Sequence, residues 1–509
     1  MTTLATGSDT LTRDALTVLQ PGFVGTTAPD WLLRRIGEGL SSVGLFGRNV
    51  VAPDQLAALT ARLRAEREDV LVAIDEEGGD VTRLEVREGS SFPGNYALGS
   101  VDDVELTRAV ARELGRRLAE CGIDLNWAPS ADVNSNADNP VIGVRSFGAD
   151  PDLVARHTVA YVDGLQAVGV AACTKHFPGH GDTSVDSHDA MPRIDVDLAT
   201  LHARELAPFR AAIAAGSKAV MSAHILLPAL DPERPATLSP RILTGLLRRE
   251  LGFEGLIVTD GMEMQAIAST YGIERGSVLA IAAGADAICV GGGLADEDTV
   301  LRLRDALVEA VRTGELPEER LADAAARVRA LAAWTQAHRA RGAVSGPGAA
   351  SQEGTAPGTE VGLVAARRAL RVTSGERPFE PLTAAPYVAS FTPVANFAVG
   401  DETPWGIAAE LQRLLPGTTT GSYGVEASAD AVLAAAGERR VVAVVRDAHR
   451  HPWMAGTLDA LLAARPDTVV VEMGLNESSP RGALHIATHG AARVCGRAAA
   501  EVIAGARGL

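Results

Sequence analysis

The chain contains the stretch Lys175-His176-Phe177-Pro178-Gly179-His180-Gly181, followed by Asp186-Ser187-His188 and Pro192. An apolar run, Val168 to Cys173, precedes it and reads as a strand. The glycines and prolines then make a loop at the strand's end, where α/β enzymes keep their chemistry. An Asp two residues before a His can hold one imidazole nitrogen and leave the other free to move a proton. The chemistry this suggests is acid/base catalysis on a polar substrate.

Such a loop needs a frame. Between residues 17 and 340, short apolar or β-branched runs alternate with helical periods. The runs are Thr17–Val24, Val43–Phe46, Val70–Ile74, Asp124–Ala128, Val168–Thr174, Ala219–Ala223, Leu256–Thr259 and Ala287–Val290. Eight runs suit a closed (β/α)8 barrel of the TIM type. Residues 102–120 and 198–215 carry apolar side chains at three- and four-residue spacing, stopped by Gly122 and Gly216. Residues 341–360 are rich in Gly, Ala, Ser and Pro and read as a flexible linker. Beyond it, runs at Tyr387–Phe391, Val441–Val445 and Val469–Met473, with a helix near 491–505, predict a smaller α/β sandwich domain over 361–509. The barrel is assigned to 1–340.

The strand ends are polar in a consistent way. The third run leads into Asp75-Glu76-Glu77-Gly78-Gly79, the fifth into Lys175-His176, the sixth into His224 and the seventh into Asp260-Gly261-Met262. The fourth leads into Asp132-Val133-Asn134 and, farther on, Arg145. Each has a plainer reading. Asp260 could cap a helix and Asp75 could form a turn. Lys175-His176 could be a structural ion pair, and Asp186 and His188 a solvated loop. Arg83 and Arg145 carry little signal alone. His180 and His224 more often satisfy hydrogen bonds, so they stay outside the catalytic set.

The net charge of −17 argues against nucleic acid and anionic membrane as partners. Cys121, Cys173, Cys289 and Cys495 are scattered, as expected of small buried residues in a reducing compartment. No secretory signal or membrane span is evident near the start or elsewhere, so a cytoplasmic location is expected. The acidic run Asp132 to Asp138 has Ala137 where a calcium loop needs glycine, and that reading is rejected. No metal or organic cofactor is expected.

The segment K-H-F-P-G-H-G-x4-D-S-H-x3-P, Lys175 to Pro192, resembles the β-N-acetylglucosaminidase branch of glycoside hydrolase family 3 at every fixed position. Gly44 to Asn49, Asp75 to Gly79 with Arg83, Val141 to Gly148 and Val258 to Asp260 resemble other family segments in order and spacing. The resemblance covers about residues 15–335. The chain departs at Asp80, where the family usually has Arg, and at Val144, where it often has Asp. The resemblance places both near the sugar-binding rim, which leaves the aglycone preference open.

The resemblance implies removal of non-reducing terminal β-linked N-acetylglucosamine with retention, through a covalent glycosyl-enzyme. By it, Asp260 is the nucleophile and His188 the acid/base, oriented by Asp186. Asp75, Arg83, Arg145, Lys175 and His176 hold sugar hydroxyls. A small GlcNAc-containing glycoside, such as a cell-wall (peptidoglycan) fragment, is the implied partner, for a monomer or homodimer. A deprotonated His is neutral and does not repel phosphate, so a β-N-acetylglucosaminide phosphorylase is an alternative. Others are a family 3 β-glucosidase, a barrel binding phosphate at Val290 to Gly293, and a non-enzymatic carbohydrate-binding protein.

Overall fold

The computed structural model describes residues 2–186, 190–345, 359–393 and 402–506. The chain forms two compact units. One comprises Met1–Glu76, Thr107–Ile142 and Ala149–Thr355, and the other Glu77–Leu106, Gly143–Gly148 and Ala356–Leu509. Two short stretches from the first half of the sequence, 77–106 and 143–148, therefore pack with the C-terminal half.

The first unit is a parallel barrel. Its strands are β1 (Leu19–Pro21), β2 (Ser42–Leu45), β3 (Leu71–Ile74), β4 (Leu125–Asn126), β5 (Ala171–Phe177), β6 (Ala219–Ser222), β7 (Leu256–Thr259) and β8 (Ile288–Val290). β2 to β7 pair in sequence order, all parallel, and β8 pairs with β1. A bridge between Val258 and Ala287 joins β7 to β8.

Side chains alternate along a strand, and one parity fills the interior. Leu71 and Ala73, Leu125 and Trp127, Ala171 and Cys173, Ala219 and Met221, Leu256 and Val258, and Ala287 and Cys289 form one buried cluster. Val328, Leu331 and Ala332 of the helix Glu318–Ser345 join it. That helix ties down residues just before the strands. Arg327 donates to the Glu254 carbonyl, Arg320 to the Ala285 carbonyl (2.9 Å) and Arg339 to Asp124. It crosses the N-terminal end of the barrel, leaving the C-terminal end for chemistry. The helix runs to Ser345, into the stretch read as linker, while 346–358 lie outside the described residues.

Local signals explain the helices. Asp150 caps the helix Pro151–Ala167 by accepting from the Leu153 N–H at 2.7 Å. Gly122 and Gly216 end their helices with φ of +75° and +81°. The helical stretch 198–215 holds a π-turn at Leu201–Glu205, which turns the fully buried Glu205 carboxylate toward the loop after β5.

In the second unit the strands are β9 (Arg371–Ser374), β10 (Tyr387–Phe391), β11 (Thr419–Tyr423), β12 (Val441–Val445), β13 (Val469–Glu472) and β14 (Leu484–Ala487), in sheet order β11-β10-β12-β13-β14-β9. Only β9 is antiparallel. Val442 and Val444 join a core with the helix Arg493–Ile503 on one face. Val441, Ala443 and Val445 join a core with the helix Pro452–Ala464 on the other. This is an α/β sandwich. Among the described residues no helix is long and apolar enough to cross a membrane.

Candidate active site

The interior parity continues past the ends of three strands. Two residues beyond Ala73 stands Asp75, two beyond Cys173 stands Lys175, and two beyond Val258 stands Asp260. Each continues its strand's inward row. The Lys175 ammonium, nearly buried, donates to Asp75 Oδ1. Burial pushes the Cys173 thiol up, and Lys175, Asp75 and Asp260 all act on it, Lys175 opposing the shift and the two carboxylates adding to it. Lys175 and Asp75 thus meet as an ion pair at the top of the barrel core, close enough, with Asp260, to act on the same buried thiol.

His176 is held differently. The β5–β6 register shifts between Thr174 and Phe177, and the His176 Nδ1 lies 2.7 Å from Asp132 Oδ2. Asp132 also accepts the N–H of His176 (3.2 Å), the N–H of His180 (2.7 Å) and the Ser130 hydroxyl (2.9 Å). Burial opposes charge on Asp132, but His176 and His180 together outweigh it and hold the carboxyl below the usual range. The His176 Nδ1–H therefore donates to Asp132, which fixes the orientation of the ring. His180 is pushed down to about 4, first by burial and then by His176, so it is neutral, with Nδ1 2.8 Å from the Thr183 hydroxyl. Gly181 is required here, because a Cβ would stand 1.7 Å from the Val133 carbonyl oxygen. Glu205, facing Gly179, is pushed up to about 7 by burial.

Around Asp260 the backbone is bound on both sides. The Asp260 N–H donates to the Ser222 carbonyl (3.1 Å), and the Met262 N–H to that of Cys289 (3.0 Å). Asp260 Oδ1 accepts the Gly261 N–H at 2.8 Å. His224 Nε2 donates to the Gly261 carbonyl at 2.9 Å, the structural hydrogen-bonding role expected of this residue. The loop after β8 does not present its N–H groups as a phosphate site. Gly291, Gly292 and Gly293 donate to Glu263, which overturns that reading.

Arg145 and Arg83 belong to the second unit. Arg145 is buried and donates from Nε (3.0 Å) and Nη2 (2.7 Å) to the two Glu77 oxygens, a bidentate pair. The Arg145 carbonyl accepts from Asn95 Nδ2 at 2.8 Å. Arg83 is half-buried in the same 77–106 segment. Asp80 is buried, pairs with Arg446 after β12 and accepts the Ala491 N–H at 2.7 Å, so its carboxylate is engaged within the second unit. Val144 is buried too.

Asp186 is buried, and its carbonyl accepts from the Ala190 N–H at 3.1 Å. His188 lies outside the described residues. Sequence reasoning missed Asp132, Glu77 and Glu263 as partners. The signal for Asp132 is its place in a polar D-x-N at the end of the fourth run, but nothing local names His176 as its partner. Glu77 and Glu263 stand beside Asp75 and Asp260 in acidic turns, and nothing local distinguishes them from solvated carboxylates.

A parallel barrel with carboxylates and a buried lysine at the C-terminal ends of its strands, followed by an α/β sandwich, defines a two-domain barrel protein of the enzyme type. Residues 34–331, more than half of the chain, match the glycosyl hydrolase family 3 N-terminal domain, and the chain belongs to that family. It is 36% identical over 332 residues to a protein named beta-hexosaminidase A from Pseudoalteromonas piscicida, a match spanning 60% of this chain and 55% of that relative. A structure described as a glycoside hydrolase family 3 beta-N-acetylglucosaminidase from a Paenibacillus species is 35% identical. It superposes with a TM-score of 0.85 over 97% of this chain and 96% of its own. A beta-N-acetylhexosaminidase from Beutenbergia cavernae, 32% identical, aligns with a TM-score of 0.58 over 64% of this chain and 98% of its own.

Proposed function

We propose that this protein is a retaining glycoside hydrolase that removes non-reducing terminal β-linked N-acetylglucosamine, with small cell-wall (peptidoglycan) fragments as its substrates. The observation that carries this reading is the placement of Asp260, Asp75 and Lys175 on the inward rows of β7, β3 and β5. The activities for which the relatives are named support the choice of sugar.

In this reading Asp260 attacks the anomeric carbon and forms the glycosyl-enzyme as the aglycone oxygen leaves. His188 gives that oxygen its proton, and then takes one from the water that releases the sugar. Asp186 orients the imidazole. Asp75, Lys175 and His176, with Arg83 and Arg145, hold the sugar hydroxyls. Asp132 fixes the orientation of the His176 ring.

The test is release of 4-nitrophenol from its β-N-acetylglucosaminide and β-glucoside by wild type and Asp260→Asn, with and without phosphate. Preference for the acetylated sugar, lost in the variant, supports the reading. Acceleration by phosphate makes the enzyme a phosphorylase. Better turnover of the glucoside overturns the substrate class, and an unaffected Asp260→Asn overturns the mechanism.

A further inference from the structure

Glu263 stands three residues after Asp260. Its Oε1 accepts from three consecutive backbone N–H groups, those of Gly291 (2.9 Å), Gly292 and Gly293 (3.3 Å). Successive N–H groups converging on one point form a nest suited to an anion, and here the chain supplies the anion itself. The carbonyl groups of the same segment are bound from elsewhere. Arg48 donates to the Gly292 carbonyl at 2.9 Å and to that of Gly291, and its Nε reaches the Phe23 carbonyl at 3.0 Å. The loops after β1, β2, β7 and β8 are thereby joined through three glycines.

A side chain is excluded at Gly291 by backbone, and one at Gly292 would crowd the Glu263 carboxylate. A Cβ on Gly291, whose φ is +149°, would meet the Gly22 nitrogen at 2.2 Å, and one on Gly292 would meet Glu263 Oε1 at 2.9 Å. The Glu263 carboxylate also lies over the residue after Asp260, since a Cβ on Gly261 would stand 3.3 Å from Glu263 Oε2. That Oε2 is buried and has no hydrogen-bond partner among the described residues. A buried oxygen left unsatisfied is a cost, so packing stability alone is a poor reason for an acid at this position.

We propose that Glu263 is a positioning residue for Asp260. By seating in the Gly291–Gly293 nest it fixes the turn from Gly261 to Met264, closed by the Met264 N–H to Gly261 carbonyl bond at 3.1 Å. It thereby sets the direction from which the Asp260 carboxylate meets the anomeric carbon. The inference rests on the reading of Asp260 as nucleophile.

The test compares Glu263→Ala, Glu263→Gln and Gly292→Ala on 4-nitrophenyl β-N-acetylglucosaminide, each checked for folding by thermal melting. A misplaced reacting group costs rate rather than binding. Glu263→Ala is expected to lower kcat by roughly tenfold to a hundredfold with KM within about twofold. Glu263→Gln keeps an oxygen for the three N–H groups and is expected to retain about a third of kcat or more. Gly292→Ala, which crowds the carboxylate without removing it, is expected to lower kcat about threefold or more, and it carries the test if Glu263→Ala does not fold. Unchanged kcat in folded Glu263→Ala or Gly292→Ala, equal loss in Gln and Ala, or a loss confined to KM overturns the proposal. A separate arm treats Asp260→Gly with azide. Formation of the α-glycosyl azide upholds the nucleophile, so an unchanged Glu263→Ala then removes the positioning role alone. Absence of that product removes the nucleophile reading itself.

Discussion

His176 Nδ1 lies 2.7 Å from Asp132 Oδ2, and this one carboxylate also receives the backbone N–H groups of His176 and His180. The loop after β5 is thus wrapped around a buried anion supplied by the segment after β4. The two imidazoles and the glycine turn between them share that anchor.

Asp132→Asn keeps the shape of the side chain but removes its charge and turns an amide group toward a donor. Breaking a buried charged network from one side costs about 3–5 kcal/mol. Urea unfolding of the variant is expected to show a loss of this order. A change below about 1 kcal/mol would mean that the loop is held by other contacts.

Lys175→Met keeps an apolar stem of similar length and deletes the ammonium facing Asp75. If this pair holds a sugar hydroxyl, KM for the acetylglucosaminide rises about tenfold, equivalent to one charge-assisted hydrogen bond of roughly 1.4 kcal/mol. Steady-state kinetics decide it. An unchanged KM would leave the pair a structural one.

Asp80 and Arg446 pair inside the second unit, with side chains 2% and 15% exposed. Burial at this level makes the pair stronger than a surface ion pair. A double-mutant cycle with Asp80→Ala and Arg446→Ala should give a coupling of about 1–3 kcal/mol in denaturant unfolding. Additive effects would assign Asp80 chiefly to its bond with the Ala491 N–H.

Two buried groups near the same loop carry opposite pH dependences. His180 is held near 4 against an ordinary value of 6.5. The unfolded chain therefore binds its proton first, and the stability it confers is lost as pH falls from about 6.5 toward 4. Glu205 is held near 7 against 4.5. The folded chain keeps that proton longer, so stability is lost as pH rises from about 4.5 toward 7. In wild type the two slopes offset one another. Glu205→Gln should leave stability rising with pH across this window, and His180→Gln should leave it falling. Chemical unfolding at several pH values measures both, and slopes of the same sign in the two variants would contradict the assignment.

The central strands were legible because their apolar runs are buried on both faces. Leu256–Thr259 is a strand end to end, and β10, β12 and β13 fall within the predicted runs. β9 and β11 were not legible. They are edge strands with largely exposed, polar side chains, and they owe their conformation to a neighbour's hydrogen bonds rather than to local hydrophobicity. β5 runs beyond the predicted stretch to Phe177 and stops before Pro178, where backbone punctuation replaces periodicity.

By itself the sequence determined the barrel-type alternation and the polar character of the strand ends. Both follow from the order of apolar and polar residues within each strand–loop–helix segment, which is local. Only the tertiary structure decided which charges meet. Asp132 reaches His176 across 44 residues, Glu77 reaches Arg145 across 68, and Asp80 reaches Arg446 across 366. No local period encodes such pairs. They arise because the closed fold buries each carboxylate where leaving it unpaired would be costly, and burial of that kind exists only once distant segments have come together.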